Sequence, residues 1–408
     1  MTKRFLELVF FDAGGGHRAA AEALKSVLAK THPEWDVELV NLQDVLKSAD
    51  PLFILTGVPS QNFYNAALKL GLTYGSQTFL RGLQTIIRMC ASRMEDVLCA
   101  HWSLERDQAI DAVISLIPNF NAVMFRALRA VRPNVPYITL MTDMADSPPH
   151  FWQEKQDQHI ICGTAFAAEQ ALATKWYRPE RIHQVTGMIL RPSFYDAAKK
   201  THLTLSDIGL EEKIPTALIM FGGYGSSLSE MVIDQLNASK LKIQMIVMCG
   251  NNEKLLQELK GKKNCHAVGY TSHVASYMKL CDFMIGKPGP GSISEAWHMG
   301  LPVIVESNAR TMIQERPNAL LIEELGAGIV VKNLRTIGRV VRRLIETNQL
   351  KILRERVLGM NNNAVFEIPD ILADIMDQPK AGSRPDGLKA PPRLKRFAKK
   401  LRRKGTKK

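Results

Sequence analysis

Cys281-Asp-Phe-Met-Ile-Gly-Lys-Pro-Gly-Pro-Gly-Ser-Ile-Ser-Glu-Ala-Trp-His-Met-Gly300 is the stretch whose reading decides the fold. Phe283 to Ile285 is a short apolar run and reads as a buried strand. Gly286 to Gly291 is too rich in Gly and Pro to be anything but a loop, and Ser292 to Met299 reads as a helix. A strand that feeds a helix through a glycine loop suits a ligand phosphate. Small residues let the backbone approach closely, and the helix N-terminus offers unpaired N–H groups at a positive dipole end. A plainer reading also fits: Ser292 and Glu295, spaced S-x-x-E, form a capping box. This stretch alone leaves both open.

Working outward, the same alternation recurs. Upstream, Thr216–Phe221 reads as a strand and runs into Gly222-Gly223-Tyr224-Gly225-Ser226-Ser227. Helix 228–236, strand 243–248, helix 253–259, strand 264–268 and helix 273–280 lead to the opening stretch. Strand 302–305, helix 312–325, strand 328–331 and helices from about 334 to 376 follow. The first half repeats the pattern. Strand Leu6–Phe11 meets Asp12-Ala-Gly-Gly-Gly-His17, and a helix over 17–28 buries Ala20, Ala23, Leu24, Val27 and Leu28. Strands at 35–40, 111–116, 136–141, 159–162 and 183–185 alternate with helices at 120–131 and 164–173, the latter N-capped by Thr164. The expected architecture is α/β: two Rossmann-like, doubly wound domains with parallel sheets facing a cleft. The expected boundaries are 1–195, a linker at 196–213, a second domain at 214–378 whose last helix packs back on the first, and a tail at 379–408.

The formal charge of +13 suggests nucleic acid or membrane, but it is unevenly spread. Residues 380–408 hold thirteen Lys and Arg against the single acid Asp386, a charge of +12, so residues 1–379 carry only +1. Within the tail, Leu394, Phe397, Ala398 and Leu401 fall on one helical face, as in a cationic amphipathic helix attracted to anionic lipid. A solubilising tail is the competing reading, and nucleic acid ranks last. Residues 56–100 have aromatics and bulky aliphatics, with Lys69, Arg81, Arg88 and Arg93 interspersed. They read as helices that form either a core pair or an entrance for an apolar substrate or membrane surface. The six cysteines form no C-x-x-C, and Cys162, Cys249 and Cys281 read as buried thiols in a reducing compartment. No secretory signal or spanning stretch is evident, so the expected location is the cytoplasmic face of a membrane, peripherally bound.

Absent motifs narrow the chemistry. There is no Gly-x-x-x-x-Gly-Lys-Ser/Thr, no G-x-G-x-x-G with a following ribose carboxylate, no Asp-x-Asp and no nucleophile elbow. Histidines show no ligand spacing, so neither a metal nor another cofactor is expected. Two glycine-loop domains without metal or covalent nucleophile suit a sugar nucleotide. His17 lies in the first turn of a helix, where the dipole disfavours the imidazolium, and is a candidate general base. A surface histidine beside a tight turn is the alternative. Asp143, just past a strand's C-terminal end, is a further candidate, with turn chemistry as its alternative.

These residues carry a resemblance. Gly14-Gly-Gly-His-Arg-Ala-Ala-Ala resembles the amino-terminal signature of the monogalactosyldiacylglycerol synthase and diacylglycerol glucosyltransferase family. Asp111-Ala-Val-Ile-Ser-Leu-Ile-Pro, Met141-Thr-Asp and Gly187-Met-Ile-Leu-Arg-Pro-Ser-Phe are similar to its later motifs. Lys287-Pro-Gly-Pro-Gly-Ser-Ile-Ser-Glu-Ala and Gln314-Glu-x-x-Asn318 resemble its donor-binding half, and the pattern is more distantly similar to the GlcNAc transferase that makes lipid II. The resemblance spans about residues 5–375. It implies the GT-B fold and an inverting, metal-free hexosyl transfer from UDP-galactose or UDP-glucose to a membrane lipid, diacylglycerol foremost. By the same resemblance His17 is the base or its neighbour, and Gly14, Gly15 and Gly16 line the acceptor side. Gly222, Gly223, Gly225, Gly289, Pro290, Gly291 and Ser292 face the UDP diphosphate. Glu295 contacts the ribose, Tyr270 and Thr271 lie near the uracil, Gln314 and Glu315 bind the hexose, and Asn318 supports that pocket. Ala13 departs from the pattern, since Ser or Thr is common there; 56–100 matches in character only, and the 145–152 loop differs from the plant type. The alternatives are a UDP-GlcNAc-dependent transferase on another lipid-linked acceptor, a sugar-nucleotide 2-epimerase, and a non-enzymatic peripheral membrane-binding protein.

Overall fold

A computed structural model describes residues 3–12, 15–50, 53, 76–103, 109–200, 202–222 and 228–378. The expectations for Gly14, Gly223 and Gly225, for 56–75 and for the tail at 379–408 lie outside the described residues. The chain forms two compact units, one from Met1–Val185 and Asn363–Lys408, the other from Thr186–Asn362. The boundary thus falls before residues 186–195, which the sequence reading grouped with the first half. The segment expected as a linker carries a helix, α6 (Pro192–Lys200), in the second unit.

In the first unit, strands β1 (Arg4–Phe10), β2 (Trp35–Asn41), β3 (Ala112–Ser115), β4 (Tyr137–Leu140), β5 (His159–Cys162) and β6 (Ile182–Gln184) form one sheet in the order β2-β1-β3-β4-β5-β6. Every pairing is parallel. A parallel sheet is covered on both faces, which is why β3, β4 and β5 read as unbroken buried runs rather than alternating ones. Helix α1 (Gly16–Thr31) buries Ala20, Ala21, Ala23, Leu24, Val27 and Leu28, the face expected from the apolar spacing. Thr164 caps α5 (Ala165–Thr174) by accepting from Ala167 N at 3.1 Å, as anticipated. The order reverses between β1 and β3, so the loops after these strands flank the switch-point crevice.

Two further helices frame that crevice. α3 (Ser76–His101) turns Ile87, Met94, Leu98 and Cys99 inward and leaves Ile86 and Met89 outside. Its end is fixed by a buried carboxylate: Glu7 of β1 accepts from Trp102 Nε1 at 2.7 Å. α4 (Asn121–Val131) follows β3, and Asn121 anchors it from below. Asn121 accepts from Tyr137 Oη at 2.8 Å and Thr139 Oγ1 at 3.2 Å and donates to the Ile117 carbonyl at 3.0 Å.

The second unit is built likewise. Strands β7 (Thr216–Met220), β8 (Gln244–Gly250), β9 (Cys265–Gly269), β10 (Phe283–Gly286), β11 (Val303–Glu306) and β12 (Gly328–Val331) take the order β12-β11-β10-β7-β8-β9, all parallel. Its switch point lies between β7 and β10. Gly286, paired with Met220, shows why this contact needs glycine: a Cβ there would sit 2.4 Å from the Met220 carbonyl oxygen. The cysteines expected in strands are buried, and burial pushes the Cys162 thiol up to about 12 and Cys281 well above its usual range.

Gly286→Ala must part β10 from β7. We expect a loss of about 1–3 kcal/mol or more, read as a lower urea midpoint. An unchanged midpoint would show that the two backbones separate at no cost.

Candidate active site

The first unit's chemistry gathers at the start of α1. Gly15 precedes that helix with φ of 80°, a left-handed conformation that suits glycine, and no side chain caps the N-terminus. His17 is half-buried, and its Nδ1 lies 2.8 Å from Thr142 Oγ1, in the loop after β4. Burial pushes the imidazole down to about 4, with a backbone hydrogen bond at Leu116 opposing. The ring is therefore neutral near pH 7. The sequence alone suggests the helix dipole as the reason for a neutral ring; the structure adds desolvation by burial, which lowers the imidazole on its own.

Trp152 packs on His17, with ring centroids 5.9 Å apart. Its indole Nε1 donates to Asp143 Oδ2 at 2.8 Å. Asp143 is thus placed where the sequence suggested, but it touches His17's neighbour rather than His17. Asp146 organises the rest of this loop, accepting backbone N–H bonds from His150 at 2.8 Å and from Trp152 at 2.7 Å. Thr142 and Trp152 are the residues that sequence reasoning passed over as site members. Their signal was their position beyond the C-terminal end of β4.

In the second unit, the opening stretch is strand, loop and helix as read, with one correction. α10 (Pro290–His298) begins two residues earlier than expected: Gly289 is its N-cap and Pro290 its first residue. Ser292 therefore lies inside the first turn, donating to the Gly289 carbonyl at 3.2 Å, and the Ser292–Glu295 capping box does not exist. Proline tolerates that first position because it has no N–H to satisfy. Glu295 instead pairs with Arg191 at 3.4 Å. Burial raises the Glu295 carboxyl, and the guanidinium opposes that shift.

Lys287 was the unrecognised centre of this loop. Its Nζ donates to Glu315 Oε1 at 2.9 Å. A methyl group on Gly222, at the end of β7, would lie 3.7 Å from Lys287 Cε; one on Gly289 would lie 3.4 Å from it and 3.6 Å from Glu315 Oε1. Gly222, Gly289 and Glu315 thus converge on one lysine at the switch point. Around Gly291 a methyl would meet nothing within 4 Å, so the helix start is open on that side. Asn318 is fully buried and donates to the Pro288 carbonyl at 2.8 Å, pinning the loop. Gln314 is buried beside Glu315, and its Oε1 has no partner among the described residues. Tyr270 and Thr271 follow β9 at the sheet edge. Tyr270 is exposed, and Thr271 Oγ1 accepts from His273 N at 3.0 Å.

Comparison with known proteins agrees with this construction. Residues 216–372 match the glycosyltransferase family 28 C-terminal domain. Over 399 residues the chain is 28% identical to the chloroplastic monogalactosyldiacylglycerol synthase of Spinacia oleracea, covering 92% of this chain and 73% of that one. Among solved structures, Acinetobacter baumannii MurG superposes with a TM-score of 0.53 at 12% identity, covering 91% of this chain and 99% of that one. Arabidopsis thaliana UGT89C1, solved with UDP-L-rhamnose, gives 0.57 at 13% identity over 92% of this chain and all of that one (100%). The protein is a glycosyltransferase of the GT-B fold, similar over residues 216–372 to the family 28 C-terminal domain and along nearly the whole chain to the monogalactosyldiacylglycerol synthases.

Proposed function

We propose that the chain transfers a hexose from UDP-galactose or UDP-glucose to a membrane lipid hydroxyl, with diacylglycerol the first acceptor to test, and with inversion at the anomeric carbon. The observation that carries this reading is the similarity, over 92% of the chain, to an enzyme named monogalactosyldiacylglycerol synthase. The site's chemistry is compatible with it. In the first unit, neutral His17, oriented by Thr142, takes the proton from the acceptor hydroxyl, and that oxygen bonds to the anomeric carbon as the bond to the UDP oxygen breaks. In the second unit, the Lys287 ammonium and the open start of α10 offset the charge on the departing diphosphate. In this reading Glu295, held by Arg191, takes the ribose hydroxyls. Gln314 and Glu315 take the hexose, and Tyr270 and Thr271 lie at the uracil. The scheme uses no metal or other cofactor.

A lipid acceptor asks for contact with a membrane surface. No helix among the described residues is long and apolar enough to cross a bilayer. α3 exposes 80% of Met89 and 46% of Ile86, with Arg88 and Arg93 also exposed. We assign peripheral attachment to this face and to the basic tail.

Transfer is tested by incubating the protein with labelled UDP-galactose or UDP-glucose and liposomes containing diacylglycerol and anionic lipid. Labelled glycolipid is expected, and folded protein that labels no lipid from either donor would refute the acceptor. His17→Ala should lower turnover by about 10²–10⁴-fold while UDP affinity, read by calorimetry, stays unchanged.

The low-lying His17 sets the pH dependence. The base works only when neutral, so activity is lost as pH falls through the folded value. The acid limb of kcat/KM should lie near 4, well below the roughly 6.5 of an unperturbed histidine. A limb at the ordinary histidine value would remove His17 as the base.

Met89→Asp, on the exposed face of α3, should reduce co-sedimentation with anionic liposomes without altering UDP binding. Unchanged sedimentation would take this face out of the membrane contact.

A further inference from the structure

The second unit carries a charged surface that the transfer scheme does not use. Residues 332–351 hold Lys332, Arg335, Arg339, Arg342, Arg343 and Lys351 against the single acid Glu346, a charge of +5. All seven residues are exposed. Residues 1–379 together carry only +1, so this segment is a local exception in a near-neutral body, and it lies outside the basic tail. Helix α12 (Ile337–Glu346) gathers the charge on one side by burying Ile337, Gly338, Val341 and Leu344. Gly338 lets the helix lie directly on the end of α7 (Leu228–Ala238): a Cβ there would stand 2.7 Å from the Gln235 carbonyl oxygen. Arg339, Arg342 and Arg343 then share the outer face, with Arg335 one turn before them, because steps of three and four residues align on a helix. The row is about 12 Å long at 1.5 Å per residue.

Little within the protein neutralises this row. Arg342 donates to the Ser239 carbonyl and lies 4.0 Å from Glu346. Lys351 lies 4.0 Å from Glu355 on its own helix, α13 (Gln349–Leu358). Among the described residues, Lys332, Arg335, Arg339 and Arg343 pair with no carboxylate. Arg335–Arg339 and Arg339–Arg343 are like-charge pairs four residues apart, an arrangement that weakens a helix until anions draw near. The neighbouring residues decide what kind of anion fits. The first turn of α13, two residues beyond the end of α12, places Lys351 beside Ile352, which is 59% exposed. An aliphatic side chain next to cations suits the boundary between headgroups and acyl chains. Residues 332–352 contain no aromatic ring on which a base could stack, so the platform usual for single-stranded nucleic acid is missing.

We propose that the second unit binds anionic lipid through the arginine row of α12 and the first turn of α13, so that the unit carrying the Lys287 loop has a membrane contact of its own. This extends the peripheral attachment proposed above for α3 and the tail, and takes its partner from that reading. Its experiment contains neither donor nor diacylglycerol and alters neither α3 nor the tail, so it can fail while those contacts and the transfer hold.

The test is co-sedimentation of the full chain with phosphatidylcholine vesicles that contain phosphatidylglycerol. Arg339→Glu/Arg343→Glu is compared with Lys25→Glu/Lys30→Glu, an exposed pair on α1 that changes the net charge equally. Arg342 is left in place because it holds the Ser239 carbonyl. The α12 variant should lower the partition coefficient by about thirtyfold or more, and the α1 variant far less. Should the glutamate variant fail to fold, as judged by its melting curve, Arg339→Gln/Arg343→Gln carries the test, with a loss of about tenfold. Three results would overturn the proposal: an unchanged partition in the folded α12 variants, an equal loss in the α1 pair, or a larger loss of binding to a DNA duplex than to the vesicles.

Discussion

The second unit depends on the contact of one backbone with another. β10 lies so close to β7 that the Met220 carbonyl oxygen occupies the space where a Cβ on residue 286 would stand. With the two strands fixed at that separation, whatever leaves their C-terminal ends is also fixed. Gly222 emerges from one and Lys287 from the other, and the lysine bridges to Glu315 from the segment after β11. Asn318 then ties the intervening carbonyl of Pro288 from beneath. A loop of glycines and prolines would otherwise carry large conformational freedom. Here Gly286, Lys287 and Pro288 are each held by a partner outside the loop, which limits that freedom.

The first unit solves a different problem, keeping an imidazole uncharged. It does so with apolar surroundings rather than with a positive neighbour: Trp152 covers the ring, and Thr142 is a neutral hydrogen-bond partner. Desolvation of this kind is insensitive to salt, unlike a charge–charge shift across solvent. Trp152 is itself pinned twice, at its backbone by Asp146 and at its indole by Asp143. The two aspartates thus reach His17 through a tryptophan, by fixing the ring that packs on it.

Much of this was legible in the sequence because it is local. Apolar runs mark the twelve strands among the described residues to within a few residues, since a buried parallel strand has no polar face to confuse the pattern. Thr164 was readable as a cap because its partner is three residues away. Errors arose where the deciding partner was distant. Ser292–Glu295 has the spacing of a capping box, but Pro290 is compatible with the first helical position, and that moves the start of α10. Glu295 finds Arg191 more than a hundred residues upstream, and Lys287 finds Glu315 nearly thirty residues on. Spacing cannot reveal such pairs.

The return of the chain to the first unit bears on how the protein is made. Helix α14 (Ala364–Asp377) packs against α1 and buries Val365, Ile368, Leu372 and Ile375, and Arg4 pairs with Asp377. Until those last residues leave the ribosome, the outer side of α1 has apolar surface without its cover. The second unit, continuous in sequence, can complete its core while the first is still waiting. During synthesis the half that begins first therefore finishes last, and α1 is the surface a chaperone would have reason to shield.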